Sequence, residues 1–196
     1  MYNARMEQRA DQSSEKQVGT LREEIQEMSV LVNELLSFSK AGMDPGGVSL
    51  VPLTLSSIVE RAVGREGGHG PMIDVAIDPK LVVLANEAYL LRAISNLLRN
   101  AIRYAGDAGP IQVSARKEKD LVEITVADSG PGVAEEALDQ LFVPFYRPES
   151  SRNRDSGGAG LGLAIVRSCV EACKGTVVCR NRKPAGLEVI IRLGAA

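Results

Sequence analysis

The chain has 196 residues, of which 44% are hydrophobic and 24% are charged, and its formal net charge is −2. This composition is ordinary for a globular protein with a sizeable core. The slightly acidic balance excludes the broad basic surface that binds nucleic acid, so we expect no nucleic-acid partner.

The sequence contains no membrane-spanning or secretory signal. No apolar run approaches the roughly 18 residues needed to cross a bilayer, and the polar start MYNARMEQRADQ is unlike a signal peptide. We therefore expect a cytoplasmic chain, with membrane contact only through segments outside this sequence.

Residues 1–41 predict a helical region. Apolar residues recur there at alternating spacings of four and three, which is typical of a seam between helices. These residues are Leu21, Ile25, Met28, Val32 and Leu35. Because such a seam needs a partner helix, we expect a homodimer through the helix at 20–41. The alternative is a helix that packs only on its own domain.

A linker at 42–47, marked by Gly42 and Pro45, separates this region from a domain at 48–196. Apolar periodicity in the domain predicts a mixture of strands and helices without strict alternation, so we expect an α+β fold. We expect two layers, with helices on one face of a mixed sheet. The predicted strands lie at 48–51, 72–77, 81–84, 111–117, 121–127, 176–180 and 187–192. The predicted helices lie at 53–63, 87–105, 135–141 and 161–172.

The segment 144–158, PFYRPESSRNRDSGG, is long for a structureless connection, which predicts a functional lid. Its last residues begin a glycine cluster, Gly157, Gly158, Gly160 and Gly162, in front of the predicted helix at 161–172. Glycine lets a backbone bend or approach a ligand closely, and helix N-terminal N–H groups bind anions such as phosphate. A flexible linker is the alternative.

Asn96 and Asn100 lie four residues apart on the predicted helix at 87–105, so both amides project from one face. A neutral amide oxygen suits Mg²⁺, which keeps several waters and shares its coordination with phosphates. The alternative is a solvated helix face.

Asp128 ends a predicted strand in the sequence DSGPG. Its carboxylate can accept a hydrogen bond from an exocyclic amine, although a plain turn explains the same residues.

Three cysteines, Cys169, Cys173 and Cys179, are an odd set, and we expect no disulfide framework. Cys169 and Cys173 could share a metal ion, but further ligands are missing nearby, so core packing is favoured. The single histidine, His69, lies in EGGHGP, where we expect a solvated loop.

Four segments stand in a set order: NLLRNAIRYA at 96–105, ADSGPGV at 127–133, LFVPFYR at 141–147 and GGAGLGLAI at 157–165. Together they resemble the N, G1, F and G2 boxes of the sensor histidine kinases, within the ATPase superfamily that also contains gyrase, Hsp90 and MutL. The resemblance implies a Bergerat-type ATP-binding fold over 48–196. It also implies that residues 1–41 are part of the family's dimerisation and phosphoacceptor region.

The resemblance implies roles at the phosphate end of an ATP site. Asn100 corresponds to the magnesium ligand, and Asn96 to a polar neighbour of the phosphates. Arg103 stands where the family often has lysine, and Arg147 resembles the arginine that reaches the γ-phosphate. Asn96, Asn100 and Arg147 are therefore the expected catalytic residues, with ATP and Mg²⁺ as the expected cofactors.

The resemblance also implies roles at the base end. Tyr104 resembles the aromatic residue that packs on adenine, and Asp128 resembles the aspartate that reads the N6 amine. Gly130 and Gly132 would let the backbone pass close to the base. Core packing remains the alternative for Phe142, the expected hinge of the lid. The remaining expected nucleotide-binding residues belong to the lid and its hinge: Phe142, Gly158, Gly160, Leu161 and Gly162.

The resemblance implies transfer of the ATP γ-phosphate to a histidine, for relay to a response regulator. Gyrase and Hsp90 carry a water-activating glutamate where this chain has Asn96. An amide takes up no proton near neutral pH, so transfer is favoured over hydrolysis.

The family's phosphoacceptor motif, similar to His-Glu-Leu-Arg-Thr-Pro, is absent from the sequence. We therefore expect a fragment that begins after the phosphoacceptor and cannot phosphorylate itself. Two alternatives stay open, namely a dimeric nucleotide-binding regulator without kinase activity and an anti-sigma-factor type serine kinase.

Overall fold

A computed structural model describes residues 48–68, 71–105, 108–148 and 159–196. The helix expected at 20–41, the linker at 42–47, His69, Gly157 and Gly158 lie outside the described residues. Within the described residues, no helix is both long enough and apolar enough to span a membrane.

The described elements follow the predicted order. The strands are β1 (Val51–Thr54), β2 (Ile73–Ala76), β3 (Val82–Ala85), β4 (Ile111–Glu118), β5 (Leu121–Ala127), β6 (Thr176–Asn181) and β7 (Leu187–Gly194). The helices are α1 (Leu55–Glu66), α2 (Glu87–Ala105), α3 (Gly162–Ala172) and a 3₁₀ helix (Glu135–Gln140).

The bounds of α2 and β5 agree with the prediction at both ends, whereas the strand predicted at 48–51 is wrong in its position. That strand begins at Val51 because pairing with β3 sets its register, from Val51 opposite Ala85 to Thr54 opposite Val82. The segment predicted as a helix at 135–141 forms the 3₁₀ helix.

Five strands form the main sheet in the order β2-β4-β5-β7-β6, and β1 and β3 form a separate pair. β2 runs parallel to β4, and the other neighbours are antiparallel, so the sheet is mixed. Alternation along β5 places Val122, Ile124 and Val126 in the core. Glu123, on the opposite face, forms ion pairs with Arg116 and Arg192 on the neighbouring strands.

The helices pack on the apolar face of the sheet, and α2 lies at the centre of that layer. α2 contacts α1, α3, β4 and β5. Its side chains Leu90, Ile94 and Leu98 are at most 2% exposed, and burial of each contributes about 1.5–3 kcal/mol to stability. The α+β fold with helices on one face of a mixed sheet is thus confirmed, and a rigid α2 is available to position polar side chains at its C-terminal half.

Candidate functional site

A cavity of about 440 Å³ lies between the C-terminal half of α2, the end of β5 and the start of β7. Its size is in the range of small-ligand sites. The polar residues that line it are Asn100, Tyr104 and Asp128. The other lining residues are apolar or glycine: Leu97, Ala101, Val126, Pro131, Gly132, Val133, Ala134, Leu141, Pro148, Leu163, Leu187 and Val189.

Asp128 follows the last residue of β5 and is only 8% exposed. Its Oδ1 accepts hydrogen bonds from Gly130 N at 2.8 Å and from Leu187 N at 3.1 Å. Both of these bonds use Oδ1, so Oδ2 is available to a donor in the cavity. Burial raises the pKa of this carboxyl above its ordinary value, while the two N–H donors and the charge of Arg182 oppose the shift.

Gly130 and Gly132 lie where the backbone passes close to other parts of the protein, and their expected approach to a base stays a prediction. A Cβ on Gly130 would lie 3.0 Å from the Tyr104 carbonyl oxygen and 3.1 Å from Asp128 Oδ1. Gly132 has a φ of +70°, which favours glycine. Gly130 therefore packs the loop after β5 against the end of α2 and the carboxylate, whereas Gly132 packs it against Asn181 and Gly186.

Two residues of the base end were missed by sequence reasoning, Gly186 and Leu187. Gly186 has a φ of +120°, and a Cβ there would lie 2.1 Å from the carbonyl oxygen of Asp128. Leu187 receives the Asp128 N–H on its own carbonyl at 3.0 Å and also donates its N–H to the carboxylate. The sequence signals only a turn at PAG, without indicating which distant residue that turn would touch.

A smaller space of about 60 Å³ adjoins the cavity, and Asn100, Tyr104, Leu141 and Leu163 line both. The predicted residues Asn96, Arg103, Gly160 and Gly162 line this smaller space. A Cβ on Gly162 would lie 3.0 Å from Asn100 Oδ1, so glycine lets the start of α3 approach that amide. The structure therefore brings five of the expected phosphate-end residues together beside the expected base end, namely Asn96, Asn100, Arg103, Gly160 and Gly162.

Asn96 is buried, and its Nδ2 donates to the Arg92 carbonyl at 2.9 Å. This bond fixes the amide and leaves Oδ1 as an acceptor. The described residues contain no group of three or more His, Cys, Asp or Glu side chains that could hold a metal ion. The donor set here is instead one or two amide oxygens, which fits Mg²⁺ only where phosphate oxygens and waters supply the other ligands.

The first residues of the predicted lid are held against Gly160 of the glycine-rich stretch. Phe145 has a φ of +67°, and its N–H donates to the Gly160 carbonyl at 3.0 Å. A Cβ on Gly160 would lie 2.7 Å from the Tyr146 carbonyl oxygen. These contacts join the first residues of the predicted lid to Gly160. Arg147 lines neither of the two spaces.

Phe142 and Leu161 lie away from the two spaces and in the hydrophobic core, 4% and 1% exposed. The Arg167 guanidinium lies 4.4 Å from the centroid of the Phe142 ring, a cation–π contact. Core packing of Phe142 is thus observed, and it is compatible with the expected role of Phe142 as the hinge of the lid, which stays a prediction.

The comparisons with known proteins agree with this geometry. Residues 85–196 match the model of the family described as histidine kinase-, DNA gyrase B- and HSP90-like ATPases. The chain belongs to this family. The match begins at the end of β3 and contains α2, both spaces and the turn at 182–186.

Sensor kinases are among the proteins whose sequences are similar to this chain. Over 180 residues the chain is 33% identical to the signal transduction histidine-protein kinase BaeS of Escherichia coli, covering 90% of this chain and 38% of BaeS. It is also 33% identical over 185 residues to the sensor histidine kinase CpxA of Escherichia coli, covering 91% of this chain and 39% of CpxA. The chain therefore spans less than half the length of these relatives.

Solved structures of sensor kinases share the fold. The mycobacterial sensor histidine kinase MprB superposes with a TM-score of 0.68 at 26% identity, over 74% of this chain and 98% of that chain. Full-length ShkA, solved in complex with AMPPNP, superposes with a TM-score of 0.71 at 29% identity, over 85% of this chain and 35% of that chain. The ATPase-family domain described here is thus the ATP-binding catalytic region of a two-component sensor kinase.

The three cysteines line neither of the two spaces. Cys169 and Cys173 are buried in the core, as expected, and Cys173 Sγ accepts the Asn86 N–H at 3.4 Å. Burial raises the pKa of Cys169 and of the half-buried Cys179 to about 11. These thiols therefore remain protonated at neutral pH.

Proposed function

We propose that this chain transfers the γ-phosphate of ATP to a histidine on a separate helical bundle. One observation carries the proposal: an apolar cavity ends at a buried carboxylate, Asp128, and opens at its other end onto two amides and an arginine on one face of α2. A flat apolar base fits the first part, and a polyphosphate fits the second.

Asp128 would select adenine. Its Oδ1 is occupied by two backbone N–H groups, and its Oδ2 would accept a hydrogen bond from the exocyclic amine. Leu97, Val126 and Val189 supply apolar contact for the ring. Guanine presents a carbonyl oxygen in place of the amine, which an ionised carboxylate repels.

Asn100 would hold Mg²⁺, with Asn96 beside the phosphates and Arg103 as the nearby positive charge. When bound, the ion would neutralise charge on the phosphate oxygens. Gly160 and Gly162 would bring backbone N–H groups at the start of α3 close to the phosphates. Arg147 and Gly158 remain predictions for the closed lid.

The charge pattern of the site favours transfer to an acceptor over hydrolysis. Among the described residues that line the two spaces, Asp128 is the only acid, and it lies at the base end. Asn96 stands on α2 where a base would be needed, and its amide is bonded to the backbone of Arg92. Apart from Asp128 at the base end, no described residue that lines the two spaces carries a carboxylate or an imidazole that could remove a proton from water, which favours a nucleophile supplied by another domain.

The acceptor would be a histidine in a dimerisation bundle, to which residues 20–41 would contribute a helix, and the product would be relayed to a response regulator. The present chain would act on that histidine only in trans, because the acceptor motif is absent from it. The sensor-kinase relatives do not favour the two alternatives left open by the sequence. A bacterial inner-membrane sensor is the proposed setting.

The test is to mix the chain with labelled ATP, Mg²⁺ and the phosphoacceptor bundle of BaeS. We expect acid-labile, base-stable label on the bundle, and none when its histidine is replaced by glutamine. Nucleotide retained by the chain without any label on the bundle would instead support a binding module. Label on a serine would support the serine-kinase alternative.

A further inference from the structure

Residues 131–134 form an irregular loop that is one wall of the cavity. Asn181, the last residue of β6, binds this loop on the side away from the cavity. Asn181 Nδ2 donates to the Val133 carbonyl at 2.7 Å, and Asn181 Oδ1 accepts the Val133 N–H at 3.0 Å. One side-chain amide therefore binds both backbone polar groups of Val133. The same Nδ2 also donates to Glu135 Oε1 at 2.9 Å.

The loop lies directly on this amide. A Cβ on Gly132 would stand 2.7 Å from Asn181 Oδ1, so only glycine permits the approach. Residues 131–134 belong to no helix or strand. The paired bonds from Asn181 thus replace, for this loop, the backbone ladder that fixes a strand.

Asn181 itself does not line the cavity, whereas Pro131, Gly132, Val133 and Ala134 do. We propose that Asn181 is a positioning residue for nucleotide binding, which holds the 131–134 wall in the arrangement that encloses the base. The inference rests on the proposed ATP site. It assigns a function to a residue on β6, an element that carries none of the four sequence motifs.

Without the bonds of Asn181, the 131–134 wall would have to be ordered by ATP when it binds. When only a fraction of molecules has the competent wall, apparent affinity falls by that fraction. The bonds of Asn181 described above join it only to Val133 and Glu135, and neither residue belongs to the proposed phosphate end. Loss of Asn181 should therefore raise KM for ATP and leave kcat unchanged.

The experiment compares Asn181→Ala with Arg180→Ala in the transfer assay to the BaeS bundle. Arg180 is the preceding residue of β6 and forms an ion pair with Glu188, so its loss removes a contact of the same strand but not the loop bonds. We expect Asn181→Ala to raise KM for ATP about ten-fold, or about 1.4 kcal/mol, with kcat within about two-fold. Arg180→Ala should leave KM unchanged.

A merely structural role predicts the reverse pattern, a lower kcat from a smaller folded fraction with KM unchanged, and that result would overturn the inference. Equal KM values in Asn181→Ala and the parent chain would also overturn it. A parent chain that fails to bind ATP at all would overturn the proposed function itself. The two failures are thus distinguishable.

A second variant keeps the test decisive if Asn181→Ala does not fold. Asn181→Asp places a carboxylate against the Val133 carbonyl and Glu135, and should weaken ATP binding further than alanine does. Adding Glu135→Gln provides an amide that donates to the new carboxylate at position 181, so that donor and acceptor exchange sides. This double variant should recover part of the lost ATP affinity. Absence of any recovery would count against the positioning role of Asn181.

Discussion

Gly186 and Asp128 lie in van der Waals contact through their backbones, since a Cβ at position 186 would stand 2.1 Å from the Asp128 carbonyl oxygen. The contact joins the turn before β7 to the end of β5. Because Gly186 directly precedes Leu187, this contact holds Leu187 N within hydrogen-bond distance of Asp128 Oδ1. The position of the Asp128 carboxylate, the proposed acceptor for the adenine amine, therefore depends on a glycine that does not line the cavity.

Gly186→Ala should abolish ATP binding and destabilise the fold by about 2–4 kcal/mol, because a side chain at φ +120° is strained and clashes with the backbone. The measurement is urea unfolding together with calorimetric titration of ATP. Gly64→Ala is the control. Gly64 lies in α1 with open space around it, so that variant should gain about 0.5–1 kcal/mol. An unchanged ATP affinity in Gly186→Ala would contradict the assigned contact.

Asp128→Asn should weaken ATP binding about 100-fold, because a charged acceptor for the amine is lost.

The same substitution should change how the free energy of unfolding depends on pH. The carboxyl has a folded-state pKa above its unfolded value, so its contribution to stability is lost as pH rises through the folded pKa. Against Asp128→Asn, the parent chain should thus become relatively less stable as pH rises. Urea unfolding of both proteins at acidic and neutral pH measures this difference, and a constant difference would contradict it.

Asn100→Ala should reduce Mg²⁺-dependent transfer about 100-fold or more, since the proposed metal ligand is removed from the phosphate end. Binding of adenosine without phosphates should stay the same. Asn86→Ala is the matched control: Asn86 precedes α2, and its Oδ1 accepts the Tyr89 N–H at 3.2 Å in the first turn. Its loss should cost about 1 kcal/mol of stability without an effect on transfer. Transfer at the parent rate in Asn100→Ala would refute the assignment of Asn100.

The thiols of Cys169 and Cys179 should resist alkylation. Their pKa values of about 11, against the ordinary 9.0, reduce the thiolate population about 100-fold at pH 8. Iodoacetamide labelling followed by peptide mass spectrometry should show slow modification of the folded chain and fast modification in guanidinium. Rapid labelling of Cys169 in the native protein would contradict its placement in the core.

The elements that the sequence predicted well are those set by local periodicity. The apolar positions of α2 repeat with the helical period over the whole of Glu87–Ala105, and those of β5 alternate over Leu121–Ala127. The two asparagines on α2 face the same space because four residues complete about one helical turn. The four motifs likewise indicated the family, because each motif is a short continuous segment and their order can be seen along the chain.

The tertiary structure alone decided what surrounds Asp128. Gly186, Leu187 and Asn181 reach residues 128–133 because β5 pairs with β7 in a register that places Ala127 opposite Glu188, and β6 pairs with β7 in turn. Such a register depends on contacts between residues about sixty positions apart, and no local pattern specifies it. The amino-acid sequence by itself determined the helix and strand periods and the chemistry on each face, whereas long-range strand pairing decided which backbone groups bind the carboxylate.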